Sequence, residues 1–139
     1  MKRTFFLLCL LCVFCLQVLA ASEHSYKQQP QKQTINVGTA TREMLVYVPA
    51  DLPEKAPMVI SLHGASQDPN YQMNQTHWNE VADTAKILVV YPKGNGNFWD
   101  ISGSGDVKFI ETIMKTMQKK YHVDKNRIYI LGFSMGGMM

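Results

Sequence analysis

The chemistry-bearing residues lie at the end of the chain, in Gly132-Phe133-Ser134-Met135-Gly136. Ser134 sits between two glycines in a G-x-S-x-G pattern directly after the apolar run Ile128-Tyr129-Ile130-Leu131. The physical demand behind that pattern is a strand that turns abruptly into a helix, holding the serine in strained backbone geometry where its hydroxyl can attack a carbonyl carbon. Such an attack builds an oxyanion, which needs backbone N–H donors already aimed at it. One donor follows the nucleophile, at Met135; the other is expected from the flexible segment Leu62-His63-Gly64-Ala65, at Ala65. His63 is read as a residue that shapes this loop and not as a base.

The elements that must position these groups are legible in the alternation of short β-branched runs and longer helical patterns. Residues 34–37 and 42–48 are strand candidates split by Gly38, with Met44, Val46 and Val48 on one face of the second. Residues 49–57 form a loop. Residues 58–62 and 87–91 are almost continuously apolar, as strands buried on both faces should be. Trp78, Val81, Ala82 and Ala85 recur at helical spacing, and a longer stripe runs through Val107, Ile110, Met114, Met117 and Tyr121. Asp106 near its start and Lys119-Lys120 near its end complement the helix dipole. Residues 128–131 read as another short buried strand. The order implies βαβ units, hence an α/β fold with a mostly parallel sheet and flanking helices.

Composition narrows the function class. In the 139 residues, Lys2 and Arg3 precede an apolar segment from Phe5 to Leu16 and small residues up to Ala20, the pattern of a secretory signal cut after residue 20. The apolar run is shorter than the ~20 residues a membrane span needs. Cys9, Cys12 and Cys15 all lie inside this segment, so no thiol or disulfide chemistry is expected after cleavage. Cleavage removes two of the fourteen Lys and Arg and none of the eleven Asp and Glu, lowering the formal charge from +3 to +1. A near-neutral surface gives no basis for a nucleic-acid or membrane partner. Residues 21–33 are polar and expected to be flexible. No metal or cofactor is expected.

Several spaced segments together resemble one family. "APMVISLHGASQ", "HWNEVADTAKILVVYPKG" and "DVKFIETIMKTMQKKYHVDKNRIYILGFSMGGMM" are similar, in order, to the strand and oxyanion loop, the Trp-Asn to Tyr-Pro segment, and the helix, strand and Ser-x-Gly-Gly-Met elbow of secreted serine esterases. These are the α/β-hydrolases grouped with polyhydroxybutyrate depolymerases and the feruloyl esterases of carbohydrate esterase family 1. The resemblance runs from about residue 35 to the end. It implies Ser134 as nucleophile, Ala65 and Met135 as the oxyanion hole, an acyl-enzyme, and an ester substrate drawn from plant cell-wall polysaccharide or polyester, in a secreted or periplasmic protein. Two departures stand out: Lys86 occupies a position where relatives have a helix-capping glycine, and Gly105-Asp106 replaces an acidic pair. Trp99 falls on a family tryptophan that lines the cleft or packs in the core.

His24, His77 and His122 all precede Ser134, whereas the fold's triad runs Ser, then Asp or Glu, then His. Asp106 and Asp124 read as helix-terminal and turn residues. The expectation is therefore that residues 34–139 are the N-terminal half of the catalytic domain, ended just after the nucleophile elbow and inactive alone. A lipase or serine peptidase of the same fold, and a secreted binding module, are the competing readings.

Overall fold

The computed structural model describes residues 26–139. The segment read as a secretory signal, its three cysteines and His24 lie outside the described residues. The elements run β1 (Gln31–Val37), β2 (Ala40–Tyr47), β3 (Met58–Leu62), α1 (Pro69–Thr76), α2 (Trp78–Ala85), β4 (Leu88–Pro92), α3 (Gly105–Tyr121) and β5 (Ile128–Gly132), then a 3₁₀ turn over Ser134–Met138. One sheet holds all five strands in the order β1-β2-β4-β3-β5. Strands β4, β3 and β5 are mutually parallel, and β2 and β1 extend them antiparallel. The first strand starts at Gln31, three residues earlier than the sequence pattern implied, because its polar residues pair with β2 at the sheet edge, Gln31 opposite Val46. Gly38, at φ 61°, makes the tight turn to β2.

The continuous apolar runs fill two cores. On one face Met58, Ile60, Leu62, Leu88 and Val90 meet Met44, Val46 and the α3 residues Phe109, Ile113 and Met117; Val48 packs at their margin. On the other, Val59, Val89 and Tyr91 meet Tyr47, Met73 and Ala82 beneath α1 and α2. Alternate residues of β3 and β4 therefore feed different cores, which explains why neither strand shows polar alternation.

Helix faces differ from the apolar stripes. In α2 the inward residues are Asn79, Ala82 and Asp83, while Val81 is 43% exposed. The reason is polar: Tyr47 Oη donates to Asp83 Oδ1 at 2.6 Å and Tyr91 Oη to Asn79 Oδ1 at 2.8 Å, so two buried hydroxyls are satisfied from the helix. Asp83 also accepts from the Lys27 N–H at 2.7 Å, which ties the approach to β1 to the sheet. In α3 the buried set is Asp106, Phe109, Ile110, Ile113 and Met117, with Val107 turned outward. Asp106 is drawn in by Arg42 of β2, whose Nη2 lies 2.6 Å from Asp106 Oδ1 and whose guanidinium stands 4.1 Å over the Phe109 ring. Helix α1, in a stretch with little apolar periodicity, starts where Asp68 caps the Tyr71 N–H and Pro69 opens the first turn. Lys86 takes the left-handed C-cap of α2 at φ 55° without the help of glycine.

Strand β5 is not buried in this chain. Tyr129 and Ile130 are 56% and 51% exposed, because β5 is an edge whose two faces lie beyond the main cover of α3 and α1.

Removing one member of the Arg42–Asp106 pair leaves the other charge buried and uncompensated. Arg42→Met is expected to destabilise the chain by about 3–5 kcal/mol, read as a fall in urea midpoint, and adding Asp106→Asn, which removes the charge but keeps an acceptor for the Asp100 N–H, should recover much of it. A double variant no better than the single one would show that packing over Phe109, and not charge, is what Arg42 supplies.

Candidate active site

Strand β3 and strand β5 end together, Leu62 opposite Gly132, so the segments that follow them emerge side by side at the C-terminal edge of the parallel strands. The Phe133 N–H donates to Leu62 O at 3.0 Å and locks this junction. Ser134 then sits exposed at φ 50°, a conformation costly to a residue with a Cβ. The flanking glycines explain how the turn is built. A methyl on Gly132 would lie 2.2 Å from the Gly136 carbonyl, and one on Gly136 would lie 2.6 Å from the carbonyl oxygens of Leu62 and His63. The backbone folds onto itself and onto the end of β3 more closely than any side chain permits. The Gly136 N–H closes the turn by donating to Phe133 O at 2.9 Å. The element that follows is 3₁₀ over Ser134–Met138.

The turn around Ser134 lies against the segment that leads to Ala65, with Phe133 close to Gly64 and Gly136 close to the His63 carbonyl. That loop is held from within: the Gly64 N–H donates to Gln67 Oε1 at 2.8 Å, the Gln67 N–H to Gly64 O at 3.2 Å, and the Ser66 N–H to Asn97 O at 3.0 Å. Ala65 lies between these anchored amides, exposed.

His63 is a structural residue. It is fully buried, its Nδ1 donates to Gly64 O at 2.7 Å, and its Nε2 accepts from the Gly94 N–H at 3.0 Å. Both ring nitrogens are engaged in a neutral tautomer, and burial holds the imidazole below its ordinary value of 6.5. Trp99, 3% exposed, packs its ring 4.8 Å from that of His63 and donates from Nε1 to His63 O at 2.7 Å. Trp99 is therefore core and loop support and does not line a cleft. Its own loop is pinned where the Asp100 N–H donates to Asp106 Oδ2 at 2.7 Å. The position of Asp106 at a helix start was readable; its role as the buried link between Arg42 and this loop was not.

The other described histidines are engaged elsewhere. His122 faces Glu54 at 3.0 Å, and its carbonyl accepts from the Lys55 N–H ahead of β3, the opposite end of the sheet from Ser134. His77 caps α1 and has Nδ1 3.2 Å from Glu80 Oε1. Among the described residues, no group of three or more His, Cys, Asp and Glu is arranged to hold a metal ion.

No protein-family model matches the chain. A bifunctional acetylxylan esterase/xylanase of Neocallimastix patriciarum is 46% identical over 101 residues, covering 71% of this chain and 15% of that protein. Poly(3-hydroxyalkanoate) depolymerase C of Paucimonas lemoignei is 29% identical over 134 residues, 88% of this chain and 32% of its own length, and feruloyl esterase B of Thermothelomyces thermophilus is 29% identical over 107, with 70% and 37% covered. The chain thus spans well under half the length of each. Among solved structures, the acetyl xylan esterase from Aspergillus awamori superposes with a TM-score of 0.71 at 20% identity, covering 78% of this chain and 44% of that one. The poly(3-hydroxybutyrate) depolymerase from Bordetella parapertussis gives 0.62 at 15% identity, with 81% and 45% covered. These structures establish the α/β-hydrolase fold.

Two expectations follow from the geometry. Gly136→Ala should open the turn, lowering stability on the order of 1–3 kcal/mol and exposing residues 132–139 to limited proteolysis, whereas Gly38→Asn, with open space around it, should change little. Unaltered proteolysis in Gly136→Ala would mean the turn tolerates a side chain. The second concerns acid. Because the folded state resists protonating His63, the unfolded chain binds more protons below 6.5, so stability is full above that value and declines as pH falls through it. Urea midpoints at about pH 7.5 and about pH 5.5 should differ in that direction, and a flat profile would show that His63 is protonated without penalty.

Proposed function

We propose that this chain, which has the α/β-hydrolase fold and is similar to an acetylxylan esterase, a feruloyl esterase and a polyhydroxyalkanoate depolymerase, carries the nucleophile and oxyanion hole of a secreted serine esterase. The observation that carries this reading is the exposed Ser134, held at positive φ between two glycines that admit no side chain, next to the loop of Ala65.

On this reading Ser134 Oγ attacks the ester carbonyl as a histidine takes its proton. The carbonyl oxygen becomes an oxyanion that accepts from the Ala65 and Met135 N–H groups. The tetrahedral adduct collapses to an acyl-serine as the protonated histidine returns its proton to the departing alcohol. Water, activated by the same base, then releases the acid. His63 does not serve, since its two nitrogens already bond Gly64 and Gly94. None of the described histidines is placed to act as that base, and since the chain spans well under half of its relatives' length, the base and its orienting acid are assigned to the remainder of a protein of that length. The substrate class is an acetyl or feruloyl ester of plant polysaccharide, or a polyhydroxyalkanoate.

The chain alone is expected to hydrolyse p-nitrophenyl acetate feebly, since oxyanion stabilisation without a base leaves only a residual rate. Joined to a downstream segment bearing an aspartate or glutamate and then a histidine, it should gain turnover and fluorophosphonate labelling, both abolished by Ser134→Ala. Robust turnover by the chain alone that vanishes in Ser134→Ala would overturn the assignment of the base. Turnover in the longer protein that survives Ser134→Ala would overturn that of the nucleophile.

A further inference from the structure

Helix α1 carries a motif that ester chemistry does not use. Asn74-Gln75-Thr76 is an N-x-T tripeptide with no proline at its centre, the acceptor pattern for an N-linked oligosaccharide, and no other asparagine of this sequence has Ser or Thr two positions on. Such tripeptides are common by chance, so placement has to decide. Asn74 is exposed, whereas the helix is anchored by Met73 in the core and by the buried Gln72, whose Nε2 donates to Ser61 Oγ of β3 at 2.9 Å. Tyr71, Gln72, Gln75 and Thr76 line, with Phe133, a groove of about 250 Å³ beside the elbow, and Asn74 stands outside that lining. A bulky hydrophilic group on Asn74 would meet solvent and leave the approach to Ser134 open. Asn79 shows the contrast, being buried and accepting from Tyr91 Oη.

The motif has to be read while the chain is still open. In the folded chain Thr76 Oγ1 donates to Gln72 O at 2.8 Å and also meets the Tyr91 side chain, so the hydroxyl that a transferase recognises is occupied. Before folding it is free. A helix of only eight residues, with the weak helix formers Asn70, Asn74 and Thr76 among them, does not persist without the sheet beneath it. Tyr91 belongs to β4, which follows the motif in sequence, so a transferase acting on the emerging chain meets Asn74-Gln75-Thr76 before the contacts that close it exist. The basic start and apolar segment of residues 1–20, read as a secretory signal, would deliver the chain to that transferase.

We propose that Asn74 is a glycosylation site, whose carboxamide nitrogen takes an oligosaccharide from a lipid-diphosphate-linked donor in the secretory pathway. In that step Nδ2 bonds to the anomeric carbon of the donor, the bond from that carbon to the diphosphate oxygen breaks, the lipid diphosphate leaves with the electron pair, and Nδ2 gives up one proton. The proposal rests on the secretory part of the functional reading and not on the identity of the nucleophile. The full chain is translated in the presence of rough microsomes, then treated with protease and, separately, with peptide N-glycosidase F. One upward step in gel mobility is expected on the protease-protected chain, removed by the glycosidase, absent in Asn74→Gln and Thr76→Val, and kept in Thr76→Ser, which retains the hydroxyl. Because the modification precedes folding, the variants need not fold to be read. A protected chain without the step overturns the proposal, as does a step that survives Asn74→Gln or Thr76→Val. A chain left open to protease overturns the secretory premise and the site with it, whereas Ser134-dependent turnover in the longer protein would stand regardless.

Discussion

The candidate site depends on a buried ion pair that never touches it. Arg42 of β2 meets Asp106 at the start of α3, and the second Asp106 oxygen holds the Asp100 N–H. That contact fixes the loop bearing Trp99, which donates to the His63 carbonyl and packs on its ring. Arg42 also donates to Lys93 O at 3.0 Å, next to Gly94, whose amide caps the His63 ring. A charged pair on one face of the sheet thereby sets the backbone that precedes Ala65. Such a pair is costly to bury, and its use here is consistent with specifying geometry more than adding stability.

The second determinant is the close approach of backbones at the elbow. Gly132 and Gly136 are required because carbonyl groups occupy the space a Cβ would take. The strain at Ser134 is offset by the hydrogen bonds of Phe133 and Gly136 and by five residue pairings between β3 and β5. Ser134 thus stands on a turn that is anchored to the sheet edge at its start and closed by a hydrogen bond at its end.

Much of this was legible before the structure. Strands β3 and β5 follow from uninterrupted apolar runs, and the elbow from glycine spacing after a strand. The features that apolar patterning does not carry are those set by polar partners distant in sequence. Apolar periodicity chose Val81 and Val107 as inward-facing, but the inward turn of each helix is decided by Asp83 and Asp106, which answer to Tyr47 and Arg42 on β2. Helix α1 is hard to read from sequence because its eight residues, PNYQMNQT, carry little apolar patterning and only the Asp-Pro at its start marks it. The burial expected of β5 failed because a strand's apolar composition reports the cover it is suited to, while its actual cover depends on its place in the sheet order.

That order has a temporal meaning. Strand β3 joins β4 and β5 in register, Met58 opposite both Leu88 and Ile128, so the last pairing closes the longest loop in the sheet. Loop closure of that length is entropically late, and local hairpins such as β1–β2 form first. As the polypeptide emerges during synthesis, the turn that carries Ser134 acquires its shape only after β3 and β5 have paired.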